Sequence, residues 1–88
     1  MHDLKAEALR LGAIDLRPSW RKGKKWAVLY DNIWIHFGSL LYDDYTIHHD
    51  DERRASYRRR HKAILLRDGR PAYKDKKQPA FWAYHLLW

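Results

Sequence analysis

No cysteine occurs among the 88 residues of the chain. This absence excludes disulfides and thiolate zinc fingers, so histidine and carboxylate are the only plausible protein metal ligands, and a reducing compartment is expected. No apolar run approaches the roughly 20 residues of a membrane span. The first residues, MHDLKAEALRLGAI, mix acidic with basic side chains and lack an apolar h-region. We therefore expect no membrane span, no signal or transit peptide, and a protein that is not secreted.

Signals of catalysis are also scarce. The three serines have no recognisable activating partner, and there is no glycine-rich phosphate loop. The nearest approach to a metal site is a set of histidines and carboxylates: Asp43, Asp44, His48, His49, Asp50 and His61. Since His49 and His61 lie more than three helical turns apart, a shared ion would require the loop before the helix to fold back on it. The sequence predicts neither an enzyme nor a cofactor.

What the chain has in excess is positive charge and aromatic side chains. Its net charge is +7, which attracts nucleic acid, acidic protein surfaces or anionic lipid. Trp, Tyr and Phe make up 15% of the residues, and such rings both fill small cores and favour interfaces. The length allows one domain, 1–88, of modest stability.

The first quarter of the chain predicts a short helix followed by a basic loop. Asp3 is placed to cap a helix over residues 3–11, and Gly12 is placed to end it. Pro18 and Gly23 then break any regular pattern over residues 14–25. This stretch is either a solvated loop or an arm that contacts phosphates or an acidic surface. Its candidate interaction residues are Arg17, Arg21, Lys22, Lys24 and Lys25.

A β-hairpin is predicted next, from residues 25–31 and 33–37 around a turn at Asp31 and Asn32. Alternation gives each strand one apolar face, while Trp34 and His36 point the other way. A two-stranded ribbon is weak alone, so a third strand or a covering helix is required.

A helix capped by Asp50 is predicted to run to about residue 62, with acidic residues at its start and basic residues at its end. Helical spacing places Arg53, Tyr57, His61 and Ile64 on the inner side. The outer, interacting side would carry Arg54, Arg58, Arg59 and Lys62. We expect the loop over residues 39–46 to be fixed to this helix by an arginine–carboxylate pair, either Asp43 or Asp44 with Arg53, Arg54 or Arg60. The full set of predicted bracing residues is Asp43, Asp44, Tyr45, His48, Asp50, Arg53, Tyr57, Arg60 and His61.

Two more elements follow. Asp68 and Gly69 predict a type I′ turn in a second, smaller hairpin over residues 64–73, with an edge strand at Pro71. Pro79 suits the first turn of a final helix. Because this helix is apolar nearly all round, several of its side chains are expected in an interface, with Phe81, Trp82, Leu87 and Trp88 as candidates. The predicted fold class is α+β: hairpins packed against a central basic helix, with short N-terminal and C-terminal helices.

A resemblance adds a biological setting. The chain matches a pattern that runs from FG through DYT-H-D and RR..Y..RH to FW....LLW. The matching residues are Phe37, Gly38, Asp44, Tyr45, Thr46, His48, Asp50, Arg53, Arg54, Tyr57, Arg60, His61, Phe81, Trp82, Leu86, Leu87 and Trp88. In these it resembles a family of short uncharacterised basic proteins of nucleocytoplasmic large DNA viruses, the phycodnavirus, mimivirus and iridovirus group. The resemblance covers about residues 20–88 and leaves 1–19 as a helix and lead-in. This chain departs from the pattern by its longer insert, ILLRDGRPAYKDKK. The resemblance implies a viral setting and a virion component, and carries over no catalytic residue.

Two functional hypotheses follow. The first is a minor capsid or cement-type virion component that binds other viral structural proteins, such as the major capsid protein, through aromatic and basic surfaces. It would reside in the virion or in the host-cell interior, in the viral factory, cytoplasm or nucleus. The alternative is a basic nucleic-acid-binding module. It would contact phosphates through the 17–25 loop and the 53–62 helix and stack exposed Trp or Tyr rings on bases.

Overall fold

The fold consists of a three-stranded antiparallel sheet in the first half of the chain and helices before and after it. A computed structural model describes residues 3–88. The strands are β1 (Asp15–Pro18), β2 (Lys24–Tyr30) and β3 (Ile33–Ser39), in the order β1-β2-β3. The helices are α1 (Leu4–Arg10), α2 (Tyr45–His48), α3 (Asp51–Lys62) and α4 (Pro79–Trp82), with a 3-10 turn at Ala72–Lys74 and a π-helical turn at Ala83–Leu87. The predicted α+β class is confirmed.

The hairpin of β2 and β3 agrees with the prediction. Asp31 and Asn32 both adopt positive φ, 53° and 61°, which a tight two-residue turn requires. Trp26 lies opposite Phe37, and Val28 lies opposite Ile35. The apolar faces of the two strands therefore coincide and form the inner face of the sheet.

The basic loop expected over residues 14–25 is wrong in part, because it contains the third strand. β1 pairs with β2 and places Leu16 opposite Val28 on the inner face. Pro18 is tolerated because β1 is an edge strand. Only residues 19–23 remain as the β1–β2 loop. A single buried leucine among charged neighbours gave too weak an alternation to indicate a strand.

The inner face of the sheet is covered by α1 and by the C-terminal segment, residues 79–88. The predicted caps of α1 are confirmed: the Asp3 carboxylate accepts from the Ala6 amide, and Gly12 has a φ of 110°. Ala8 from α1 packs with Val28 and Phe37 in the core. The helix expected to hold the hairpin, α3, contributes no residue to this core and packs on α2 and the 3-10 turn.

The interface expected for the C-terminal side chains is wrong for most of them. Three of the four candidates, Phe81, Trp82 and Leu87, are buried within the domain, and so are Tyr84 and Leu86. The sheet and α1 enclose one side of the segment, while Tyr84 meets Tyr73 and the Arg58 guanidinium on the other. The Trp82 indole donates to the Lys76 carbonyl at 2.7 Å. A segment that is apolar all round is thus accommodated because the core surrounds it.

The second hairpin is reduced to one bridge, between Leu65 and Pro71. The predicted type I′ turn is wrong, since Gly69 has a positive φ and Asp68 does not. The Gly69 amide donates to the Leu66 carbonyl, which closes a four-residue turn. Pro71 has no amide hydrogen and the 3-10 turn begins directly after it, so the return strand ends there.

Within residues 3–88 no helix is both long and apolar enough to cross a membrane.

Candidate functional site

The segment predicted as a loop between β3 and α3 contains the short helix α2. The Asp44 side chain caps this helix and pairs with Lys25, not with an arginine. The Asp44 carboxylate caps α2, accepting from the Thr46 amide at 2.9 Å and from the Thr46 hydroxyl. Its other oxygen lies 2.6 Å from the Lys25 ammonium, which also donates to the Tyr42 carbonyl. Both charged side chains are nearly buried. The expected arginine–carboxylate brace is therefore wrong for Asp44, and Lys25 does not lie on an open interaction surface.

The loop is joined to α3 by Tyr45 instead. Its hydroxyl donates to the Asp51 carboxylate at 2.8 Å, and this bond raises the pKa of Tyr45. The Arg54 guanidinium lies 4.6 Å from the centre of the Tyr45 ring. Asp50 caps α3 as predicted, accepting from the amides of Glu52 and Arg53. Asp43 is exposed, and within residues 3–88 it forms no ion pair with an arginine.

A column of stacked rings joins α3 to the end of the C-terminal segment. Tyr57 lies between His61 and Trp88, with ring centres 3.8 and 4.2 Å away, and His48 meets the other side of Trp88 at 5.2 Å. Burial raises the pKa of Tyr57 to about 12 and lowers the pKa of His61. Of the predicted inner side, Tyr57 and His61 are half-buried, whereas Arg53 and Ile64 are exposed.

Arg54 and Arg58 point toward this column, so their expected exposure is wrong. Arg54 Nε donates to the main-chain oxygen of Trp88 at 2.7 Å, and Arg58 donates to the same oxygen through Nε and Nη2 at 3.2 and 3.0 Å. Trp88 itself is half-buried. The sequence missed this arrangement because the acceptor lies 30 and 34 residues away from the two arginines. Of the predicted outer residues, Arg59 and Lys62 are exposed.

The histidines of the candidate metal set do not converge. His48 and His61 lie on opposite sides of the Trp88–Tyr57 pair, and His49 is exposed in a left-handed conformation at the end of α2. In the described part of the chain no group of three or more metal-ligating side chains could hold an ion. Buried His48 Nε2 and His61 Nδ1 have no hydrogen-bond partner among residues 3–88.

The face of the sheet opposite the core, here called the outer face, carries an aromatic cluster. Trp20, from the β1–β2 loop, is 62% exposed and meets Trp34 edge-on at 5.1 Å and His36 at 4.7 Å. The Ser19 hydroxyl and His36 Nδ1 are 2.8 Å apart. Burial, and then the charges of Arg21 and Lys24, lower the pKa of His36. The alternation of residues along β3 had indicated that Trp34 and His36 lie on the face opposite the core. Nothing in the sequence indicated that Trp20 covers them.

Cations surround this cluster. The Arg17 guanidinium lies 5.7 Å from the centre of the Trp34 ring. Arg21, Lys22 and Lys24 follow Trp20 along the chain and are exposed. Four of the five cations predicted for this stretch thus accompany an exposed ring.

A concave surface lies between β3, α3 and the C-terminal segment, and is called the groove below. Its volume is about 820 Å³. Its buried apolar lining comes from Phe37 and Leu87, with the half-buried rings of Tyr57 and Trp88 beside them. Its exposed charged lining comprises Lys24, Asp43, Glu52, Arg53 and Arg60. The groove therefore brings Lys24 of the basic stretch together with two arginines of α3.

Comparison with known families identifies one match. The model of DUF5754, a family of unknown function, matches residues 14–61. This chain belongs to the DUF5754 family. No curated protein and no solved structure matches it.

The residues of this chain that the DUF5754 model matches extend from the start of β1 almost to the end of α3. It includes the outer face with Trp20 and Trp34, and the Lys25–Asp44 pair. The C-terminal segment, which supplies Trp82 and Leu87 to the core, lies beyond the match.

Proposed function

We propose that the protein is a nucleic-acid-binding module whose contact surface is the outer face of the sheet. The observation that carries this proposal is Trp20, a large ring left 62% exposed on a cluster flanked by Arg17, Arg21 and Lys22. Proteins that bind single strands combine cations along the backbone with aromatic rings on which bases stack. The net charge of +7 supports the same function.

The predicted contribution of α3 is revised in this proposal. Arg58 and Arg54 bind Trp88, so the phosphate contacts are assigned to Arg21 and Lys22 in the β1–β2 loop and no longer to α3.

The test is anisotropy of fluorescein-labelled (dT)20, titrated with the protein at 50 and 200 mM NaCl. We expect Trp20→Ala to weaken binding by about 5- to 150-fold, the equivalent of roughly 1–3 kcal/mol for a lost base stack. Arg21→Gln and Lys22→Gln should each reduce the salt slope by about 0.7. Leu65→Ala, which also removes an exposed apolar side chain, is the control. Failure of the unchanged protein to bind at 50 mM NaCl would exclude the proposal.

A second candidate is the minor capsid or cement-type virion component. The observation that favours it is an exposed apolar run beside the groove, Leu40, Leu41 and Tyr42, of which Leu41 is 84% exposed. Exposed apolar patches are typical of protein-binding sites. The viral setting rests on the resemblance to proteins of large DNA viruses.

Mass spectrometry of purified, nuclease-treated virions distinguishes the two candidates. Hundreds of copies per particle that persist after nuclease treatment would support a shell role. Absence from the particle, or loss on nuclease treatment, would count against it.

A further inference from the structure

The groove has the composition of a protein-binding site. It combines a volume of about 820 Å³ with apolar side chains at its base and exposed charges at its edge. In the described part of the chain, none of its five exposed charged residues takes part in an ion pair. Lys25 and Asp44, which also line it and are nearly buried, neutralise each other. A site with apolar depth and unpaired peripheral charge suits a ligand that carries both kinds of group.

One side of the groove is formed by an irregular point of an edge strand. β3 pairs only with β2 among the described residues, so its other edge is open. Gly38 has a φ of 80° and lacks a partner in the register between β2 and β3, although Phe37 and Ser39 on either side have one. Gly38 lines the groove. Open strand edges bind extended peptides through main-chain hydrogen bonds.

The exposed run Leu40, Leu41 and Tyr42 directly follows that edge. Tyr42 lines the groove and is 70% exposed. On the opposite side, Arg53 and Arg60 lie two turns of α3 apart, about 10.5 Å along the helix axis. An extended segment lying in the groove would thus pass between an apolar wall and a wall on which two arginines outnumber Glu52.

We propose that the groove binds an extended segment of another protein, one that carries acidic residues beside leucine or aromatic side chains. A second copy of this chain is a poor occupant, because each copy has a net charge of +7. Nucleic acid is also a poor occupant, because a phosphate backbone would leave the exposed apolar run Leu40, Leu41 and Tyr42 beside the groove without an apolar partner. Lys24 is the only residue named at both this site and the outer face, so the inference goes beyond nucleic-acid binding and does not depend on it.

The probe is a phage-displayed library of random 12-residue peptides, selected on the full chain and followed by anisotropy of the best peptide labelled with fluorescein. We expect enrichment of Asp or Glu next to Leu, Phe or Trp. The double variant Arg53→Glu/Arg60→Glu should weaken peptide binding about tenfold or more, since it reverses both cationic contacts. Arg59→Glu is the control: it makes the same substitution at one exposed arginine of α3 outside the groove and should alter binding less than twofold.

A second pair of variants tests the apolar wall. Tyr42→Ser should weaken peptide binding about fivefold or more, whereas Leu65→Ser, at a similarly exposed position away from the groove, should not. Circular dichroism would verify folding of each variant.

Three outcomes would overturn the inference. They are the absence of any peptide that binds above background, equal binding by the Arg53→Glu/Arg60→Glu and Arg59→Glu variants, and competitive displacement of the peptide by (dT)20. The two proposals can fail independently. Trp20→Ala should weaken oligonucleotide binding only and leave peptide binding unchanged, so loss of the outer-face proposal would not affect the peptide result.

Discussion

The Lys25 ammonium lies 2.6 Å from the Asp44 carboxylate, and the two side chains are only 12% and 4% exposed. This pair connects β2 to the start of α2, 19 residues later. Asp44 also caps α2, so one carboxylate fixes the conformation of the loop and its position against the sheet. A charge buried to this extent destabilises the fold unless its oppositely charged partner is present.

Breaking that pair should be more harmful than removing it. We expect Asp44→Leu alone to lower the free energy of unfolding by about 3–5 kcal/mol, because it leaves the Lys25 charge buried and unpaired. The double variant Lys25→Met/Asp44→Leu should recover most of this loss, except for about 1 kcal/mol from the lost cap. Urea denaturation measures both. Asp43→Asn, at the exposed neighbouring position, should change stability by no more than about 0.5 kcal/mol. Equal losses in the single and double variants would contradict the buried-pair account.

Position 38 requires glycine for two reasons: its φ is positive, and its Cα lies close to the Leu87 side chain. A Cβ at Gly38 would lie 2.9 Å from Leu87 Cδ1, and the φ of 80° is unfavourable for any side chain. Gly23 has a similar φ of 83° but no atom within 4 Å of the added Cβ. Gly23→Ala should therefore lose only the conformational term, about 1–2 kcal/mol. Gly38→Ala should lose more in the same urea titration, and a loss no larger than that of Gly23→Ala would refute the steric contribution.

Tyr57 should lower the free energy of unfolding as pH rises in the alkaline range. Its pKa in the folded chain is about 12, above the ordinary value of 10.0, because burial disfavours the phenolate. A raised folded-state pKa means that the contribution to stability is complete below pH 10 and is lost as pH rises from 10 toward 12. Urea midpoints at pH 9, 10 and 11 should fall less steeply for Tyr57→Phe, which keeps the stacked ring. Parallel curves for the two proteins would contradict the assignment.

Arg58 and Arg59 should differ in their contribution to stability. Arg58→Ala removes two hydrogen bonds to the Trp88 main-chain oxygen and should lower the free energy of unfolding by about 1.5–3 kcal/mol. Arg59→Ala should leave stability within about 0.5 kcal/mol, because its side chain is exposed. The sequence had assigned both arginines to the same outer surface. Thermal and urea unfolding distinguish the two residues, and equal effects on stability would restore the original grouping.

The sequence predicted those parts of the fold that depend on local patterns. The Asp31 and Asn32 turn, the faces of β2 and β3, and the caps at Asp3 and Asp50 all arise from residues within a few positions of one another. β1 was missed because its evidence was one buried leucine, and α2 because four residues are too few to show a helical period.

The candidate sites depend on contacts that local patterns do not encode. Trp20 lies on Trp34, 14 residues away, and Arg54 meets Trp88, 34 residues away. Charge composition predicted a basic interaction surface, but it did not distinguish arginines that bind the protein itself from those that face solvent. Lys25 illustrates this most clearly, since it was expected to be open and is almost buried.

The burial of Trp82 and Leu87 determines where the chain can be cut. The family match covers residues 14–61, yet the side chains that cover Val28, Ile35 and Phe37 come from α1 before it and from the C-terminal segment after it. A fragment limited to residues 14–61 would expose the inner face of the sheet to water. We therefore regard residues beyond 61 as part of the smallest autonomous folding unit, and truncation at the family boundary as a route to aggregation.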